Sequence, residues 1–154
     1  MTTKALSSHD VFGFLRPEQV DAVSEVSEVI SLEAGDTVFE QGEVAVSLYA
    51  VLAGQVSLRM PRADGVSLRI EELSKGALFG SCMCFDLNDY SLTAVCTQDS
   101  KLLKISAEGL KRVMDDDLTA GYPLQRLISR TYFRRYLDTM KKLRTVAEAL
   151  ALSS

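Results

Sequence analysis

The chain has 154 residues, 47% of them apolar, with 17 Lys and Arg against 21 Asp and Glu. That length and composition fit one domain with a sizeable core. The acidic balance argues against a surface built to neutralise phosphates, and no apolar run reaches the roughly 18–20 residues of a membrane span.

The opening reads as helical. Ser8 or Asp10 can cap a turn holding Val11, Phe12 and Phe14. Pro17 suits the first turn of a second helix, and Glu18 to Val26 follows with Val20, Val23 and Val26 on one face. From Ile30 the apolar period changes to two. Short β-rich segments lie near 29–32, 37–40, 48–53, 55–61, 66–73, 92–97 and 101–106. Turn residues separate most of them, as at Ala34-Gly35-Asp36, Gln41-Gly42-Glu43, Ala63-Asp64-Gly65 and Lys75-Gly76. Such spacing predicts an antiparallel barrel or sandwich, so the fold class is mainly β with flanking helices. Ser106 can cap the next helix, which buries Leu110 and Val113 and ends at Asp115-Asp116-Asp117. Gly121 and Pro123 punctuate. A long helix is then expected from about Pro123 to Leu150. Tyr136, Met140, Leu143, Ala147 and Leu150 alternate spacings of four and three along it, a coiled-coil-like seam with Phe133 beside it. Arg130, Arg134, Arg135, Lys141, Lys142 and Arg144 make this helix basic and read as a solvated face. Residues 1–28 are thus expected as an N-terminal helical segment, 29–106 as the β domain and 107–154 as C-terminal helices.

The glycine-bearing turns carry a resemblance. Leu32-Glu33-Ala34-Gly35-Asp36-Thr37-Val38, Glu40-Gln41-Gly42-Glu43, Leu48-Tyr49-Ala50-Val51-Leu52-Ala53-Gly54-Gln55-Val56 and Leu73-Ser74-Lys75-Gly76-Ala77-Leu78-Phe79-Gly80 follow in order. Together they resemble the cyclic nucleotide-binding domain family, of the type found in catabolite activator protein and the regulatory subunits of cyclic-AMP-dependent kinase. The resemblance covers about residues 10–150 and implies an antiparallel β-roll, a jelly-roll-like barrel, with N-terminal helices and a long C-terminal helix. Residues 79–95 then stand where that family has its phosphate-binding cassette.

The cassette pattern is roughly Gly-Glu-x-Ala-Leu, a variable stretch, then Pro-Arg-Ala-Ala-Thr-Val. Gly80 keeps the glycine. Ser81 stands where a glutamate would accept from the ribose 2′-hydroxyl. Cys82, Met83 and Cys84 occupy the short cassette helix, and Tyr90 stands at the phosphate-binding arginine, with Ser91 and Thr93 after it. The ligand-binding positions implied by the resemblance are therefore Gly80, Ser81, Cys82, Met83, Tyr90, Ser91 and Thr93. Backbone N–H groups can attract a cyclic phosphate whatever the side chains are. An arginine adds a charge-assisted contact that a neutral phenol does not. Losing both specific contacts weakens a cyclic nucleotide by about 2–4 kcal/mol, on the order of thirty- to a thousandfold. Three states of the pocket follow: closed by its own side chains, altered for another small ligand, or weakly nucleotide-binding. Arg59 or Arg69, on neighbouring strands, are candidates to replace the missing cation.

Other chemistry is sparse. Three cysteines in a chain whose start lacks a secretion signal are read as reduced thiols in a cytoplasmic protein. Cys82, Cys84 and Cys96 are too few for a four-ligand zinc site, and the one histidine, His9, lies far away in sequence. A redox role for Cys82 and a haem site are weaker readings of the same residues. No nucleophile elbow or phosphate loop is present, so no enzyme, metal or cofactor is expected. The expectation is a stand-alone regulatory or sensor domain in signalling that does not bind cyclic AMP or cyclic GMP in the usual way. Its ligand would be a small molecule or nucleotide. Its partner would be a second copy, meeting it through the C-terminal helix at Phe133, Tyr136, Met140, Leu143, Ala147 and Leu150. With the chain ending at Ser154, neither a DNA-binding domain nor a membrane segment is expected. The alternative on the same fold is a ligand-free interaction or dimerisation module.

Overall fold

The computed structural model describes residues 12–152, apart from the side chains of Cys82, Met83 and Leu152. The cap at Ser8 or Asp10, and His9, lie outside that range. Helix α1 (Pro17–Glu25) precedes eight strands: β1 (Ser27–Leu32), β2 (Thr37–Phe39), β3 (Ser47–Ala53), β4 (Val56–Pro61), β5 (Ser67–Leu73), β6 (Leu78–Phe79), β7 (Thr93–Cys96) and β8 (Ser100–Ser106). A one-turn 3-10 helix, Cys82–Phe85, lies between β6 and β7. Helices α2 (Ala107–Asp116) and α3 (Leu118–Leu152) complete the chain. The strands form two four-stranded sheets, ordered β1-β8-β3-β6 and β2-β7-β4-β5, with antiparallel pairing throughout.

Strand alternation divides the core in two. Along β3, Leu48 and Ala50 face the helices, and Tyr49 and Val51 face the interior of the roll. Along β8, Leu103 and Ile105 join the helical side, and Leu102 joins the interior. With both faces covered, β3 reads as an unbroken apolar run rather than an alternating one. The helical side packs Val20 and Val23 of α1, Leu110 of α2, and Leu124 and Ile128 of α3 against that sheet. Gln19 ties these helices together. Its Oε1 accepts from Arg16 N–H at 2.9 Å, and its Nε2 donates to Asp117 Oδ2 at 3.1 Å and Thr119 Oγ1 at 3.0 Å. Hydrogen bonds from Thr119, and then from Gln19, hold the Asp117 carboxyl below its ordinary range.

The structure corrects one boundary and adds one element. Helix α3 begins at Leu118, so Gly121 and Pro123 lie inside it rather than before it. Asp117 opens the helix, accepting from Thr119 N–H through its side chain and from Ala120 and Gly121 N–H through its carbonyl. Gly121 serves a close approach: a Cβ there would sit 2.4 Å from the Met114 carbonyl oxygen of α2. The added element is β6, two residues long, which pairs Phe79 with Tyr49 and so fixes the start of the cassette. Ser106 caps α2 as expected, its Oγ accepting from Gly109 N–H at 3.0 Å.

Two turn glycines make a paired test. Gly54 (φ +92°) joins β3 to β4, and a Cβ on it would lie 2.3 Å from Ser100 Oγ and 2.4 Å from the Asp99 carbonyl oxygen. Gly65 (φ +84°) turns in open space. Gly65→Ala should cost about 1–2 kcal/mol, the left-handed backbone penalty alone. Gly54→Ala should cost about 2–5 kcal/mol, because the clash adds to it. Urea unfolding of both variants checks this, and equal losses would contradict the packing at Gly54.

Candidate functional site

The cassette returns from the 3-10 turn through Asn88, Asp89 and Tyr90, and the segment at 42–47 holds this return on its backbone. Gly42 N–H donates to the Tyr90 carbonyl at 2.9 Å, Tyr90 N–H to the Glu43 carbonyl at 3.0 Å, and Ala45 N–H to the Asn88 carbonyl at 2.7 Å. With its main chain fixed from both sides, Tyr90 aims its side chain into the roll, where it is 4% exposed. Its hydroxyl donates to the Ser47 carbonyl at 2.6 Å and accepts from Ser47 N–H at 3.2 Å. Its ring stacks on Phe39 with centroids 3.7 Å apart and planes at 10°. Phe39 in turn meets Tyr49 and Phe79, each at 5.9 Å between centroids. The position where the family places a cation is thus one corner of an aromatic cluster, with its single polar atom fully engaged.

The other carried-over positions divide. Gly80 (φ +79°) lies against this cluster, and a Cβ on it would come within 3.1 Å of Phe39 Cε2. Gly80, Tyr90, Ser91 and Leu92 line a cavity together with Phe39, Leu58, Tyr132 and Arg135, and its volume is only ≈ 30 Å³. That is room for one or two waters. Ligand sites usually run to about 300–1,000 Å³. Thr93 is not among the lining residues; its Oγ1 accepts from Gln41 N–H at 3.0 Å. Ser81 is fully buried, with an Oγ that has no partner among the described residues and an N–H that donates to the Tyr132 hydroxyl at 2.7 Å. Cys82 and Met83 stand in the 3-10 turn, and the expectation for their side chains falls outside the described residues.

The long helix closes the mouth of the roll. Tyr132 caps the cassette through Ser81 N–H, with Phe85 edge-on to its ring at 5.4 Å. One turn on, Arg135 lies over the Tyr132 ring at 5.1 Å, pairs with Glu71 of β5 through Nε, and donates from Nη2 to the Leu78 carbonyl at 3.2 Å. Further along, Lys142 Nζ donates to the Ile70 carbonyl at 2.7 Å. Arg135 therefore leaves the solvated basic face on which the sequence places it, and Lys142 stays exposed. Arg59 and Arg69 do not replace the missing cation. Arg59 donates to Ser67 Oγ, Arg69 pairs with Glu72, and neither lines the cavity. The cation among the cavity's lining residues is Arg135, which the sequence reading assigns to the surface. One signal pointed inward: Leu124, Ile128, Tyr132 and Arg135 follow spacings of four, four and three, which is one helix face.

The remaining candidates fall outside the site. Burial pushes the Cys96 thiol up, away from the reactive thiolate. Among the described residues, no group of three or more His, Cys, Asp or Glu side chains could hold a metal ion. No described helix is long and apolar enough to cross a membrane. The apolar seam of α3 is exposed along its whole length: Phe133, Tyr136, Met140, Leu143, Ala147 and Leu150 all face solvent in the single chain.

The comparisons with known proteins agree with this architecture. The chain is 31% identical over 98 residues to the cyclic AMP receptor protein of Thermus thermophilus, a match covering 64% of this chain and 45% of that one. Its fold is similar to that of a putative cyclic nucleotide-binding protein from Geobacter metallireducens, with a TM-score of 0.76, 20% identity, and coverage of 88% and 98% of the two chains. It is also similar to the sensor domain of the transcriptional regulator DNR from Pseudomonas aeruginosa, with a TM-score of 0.72, 27% identity, and coverage of 87% and 90%. The chain spans about half the length of the curated relatives it matches. The profile of the family described as "Cyclic nucleotide-binding domain" matches residues 29–117, more than half of the sequence. The chain belongs to the cyclic nucleotide-binding domain family.

Proposed function

We propose that this chain is a regulatory domain in which Tyr90 fills the place of a cyclic phosphate, and in which the position of α3 is the output. On this reading it binds neither cyclic AMP nor cyclic GMP in the family's manner. The observation that carries it is the Tyr90 hydroxyl, bonded to both backbone groups of Ser47 beneath a ring stacked on Phe39. A cyclic nucleotide would have to expel that ring and break both bonds, and Ser81 offers it no carboxylate. Burial within the aromatic cluster makes the expulsion costly in lost area as well.

The output side rests on the two contacts that latch α3 to the roll, Tyr132 on Ser81 and Arg135 on Glu71. One neutral and one charge-assisted hydrogen bond contribute about 2–4 kcal/mol to the closed form. A ligand or partner shifts the helix only if it favours the open form by a comparable amount. The exposed seam supplies the surface through which such a shift is read, and its partner on this reading is a second copy. Along it, Tyr132, Thr139 and Val146 flank one side, and Arg130, Leu137 and Arg144 the other. Parallel pairing sets the cationic flank against the neutral one. Antiparallel pairing sets arginine against arginine, so the parallel arrangement is favoured. A second reading, a ligand-free interaction module, draws support from the ≈ 30 Å³ cavity, which holds no ligand of metabolite size in the closed form.

Calorimetric titration of the wild-type chain with cyclic AMP and with cyclic GMP should give no low-micromolar binding, and such binding would contradict the proposal. Ser81→Glu with Tyr90→Arg should gain cyclic AMP affinity, since it removes the ring and restores both contacts. A thermal-shift screen of nucleotides and metabolites separates the two readings: a ligand that raises the melting temperature selects the sensor, and none selects the module. In sedimentation at tens of micromolar the wild type should be a dimer and Leu143→Asp a monomer. A monomeric wild type would contradict the seam.

A further inference from the structure

A second surface on α3 lies beside the seam. Arg126, Arg130 and Arg134 follow one another at intervals of four residues, with Lys141 and Arg144 continuing the line. At 100° per residue these five side chains fall within an arc of about 80° and run for about 27 Å along the helix. All five are exposed. Among the described residues Arg144 has an ion pair, with Glu148 at 3.8 Å, and Arg126, Arg130, Arg134 and Lys141 have none. The helix holds seven Lys and Arg against two acids, a balance of +5, so the rest of the chain carries −9 of the overall −4. Like charges four residues apart destabilise a helix, and this stripe places three in succession.

Dimerisation through the seam does not neutralise the stripe. The flank that a parallel second copy would offer, Tyr132, Thr139 and Val146, contains no acid. We infer that the stripe docks an acidic, apolar-bearing segment of a partner protein, whose carboxylates meet Arg126, Arg130, Arg134 and Lys141 while an apolar residue of it meets Leu137. Guanidinium groups take carboxylates in paired hydrogen bonds, which suits arginine at three of those four places. Leu137 is 44% exposed and lies among the cations along the helix, so the surface offers apolar contact as well as charge. A nucleic acid has less use for that apolar edge. This inference does not depend on what occupies the pocket.

The test uses the full chain and three fluorescein-labelled probes: a synthetic helix-forming peptide built from glutamate and leucine, the same peptide with lysine in place of glutamate, and a short DNA duplex. The glutamate peptide should bind, weaken as salt is added, and lose at least tenfold in affinity with Arg130→Glu, Arg134→Glu and Lys141→Glu combined. The corresponding Gln variants should show an intermediate loss, which keeps the test valid if the charge-reversed chain fails to fold. The lysine peptide should not bind. Equal binding of either peptide, no binding of the glutamate peptide at low salt, unchanged affinity in the variants, or tighter binding of the duplex would each overturn the inference.

Discussion

The backbone clamp around residue 90 is the constraint from which the rest of the site follows. Gly42, Glu43 and Ala45 fix the returning strand by three main-chain hydrogen bonds. The side chain at position 90 therefore has one direction available, into the roll. In the family this geometry delivers a cation to a phosphate. Here the same geometry delivers a phenol, and the phenol finishes the core. Its ring completes the stack on Phe39, and its hydroxyl accepts from the N–H and donates to the C=O of Ser47. A position that the resemblance reads as ligand-binding is a packing position in this fold.

The helix contacts are consistent with that exchange. The cassette N–H of Ser81 donates to the Tyr132 hydroxyl. The cation of the region is on the helix instead of the cassette. Arg135 joins Glu71, on the strand that lines the roll, to the helix that leaves it. Cassette, strand and helix are thus connected through two side chains one turn apart.

Much of the architecture is legible in the amino-acid order because turns and periods are local. Glycine at 35, 42, 54, 65 and 76 takes positive φ in every case, so those residues mark real corners. Gly121 and Pro123 mislead for a physical reason. The glycine answers to the Met114 carbonyl of a neighbouring helix, a contact between elements that no local rule sees. The departure from the cassette pattern is legible too, since serine stands at 81 and tyrosine at 90 where the pattern has glutamate and arginine. Whether the seat is filled is not local. It depends on Phe39 lying parallel to the ring and on Ser47 presenting both backbone groups, contacts made across some forty to fifty residues. Arg135 was hidden for the same reason, because its acid partner lies 64 positions away.

The central claim is that Tyr90 occupies the phosphate seat in the folded chain. Nuclear magnetic resonance tests it directly through the Tyr90 hydroxyl proton and the amide protons of Ser47 and Ser81. A protected hydroxyl proton with a cross-peak to the Ser47 amide is expected, with all three signals unmoved by millimolar cyclic AMP. Loss of that proton to solvent, or movement of the Ser47 and Ser81 amides as the nucleotide is added, would contradict the account.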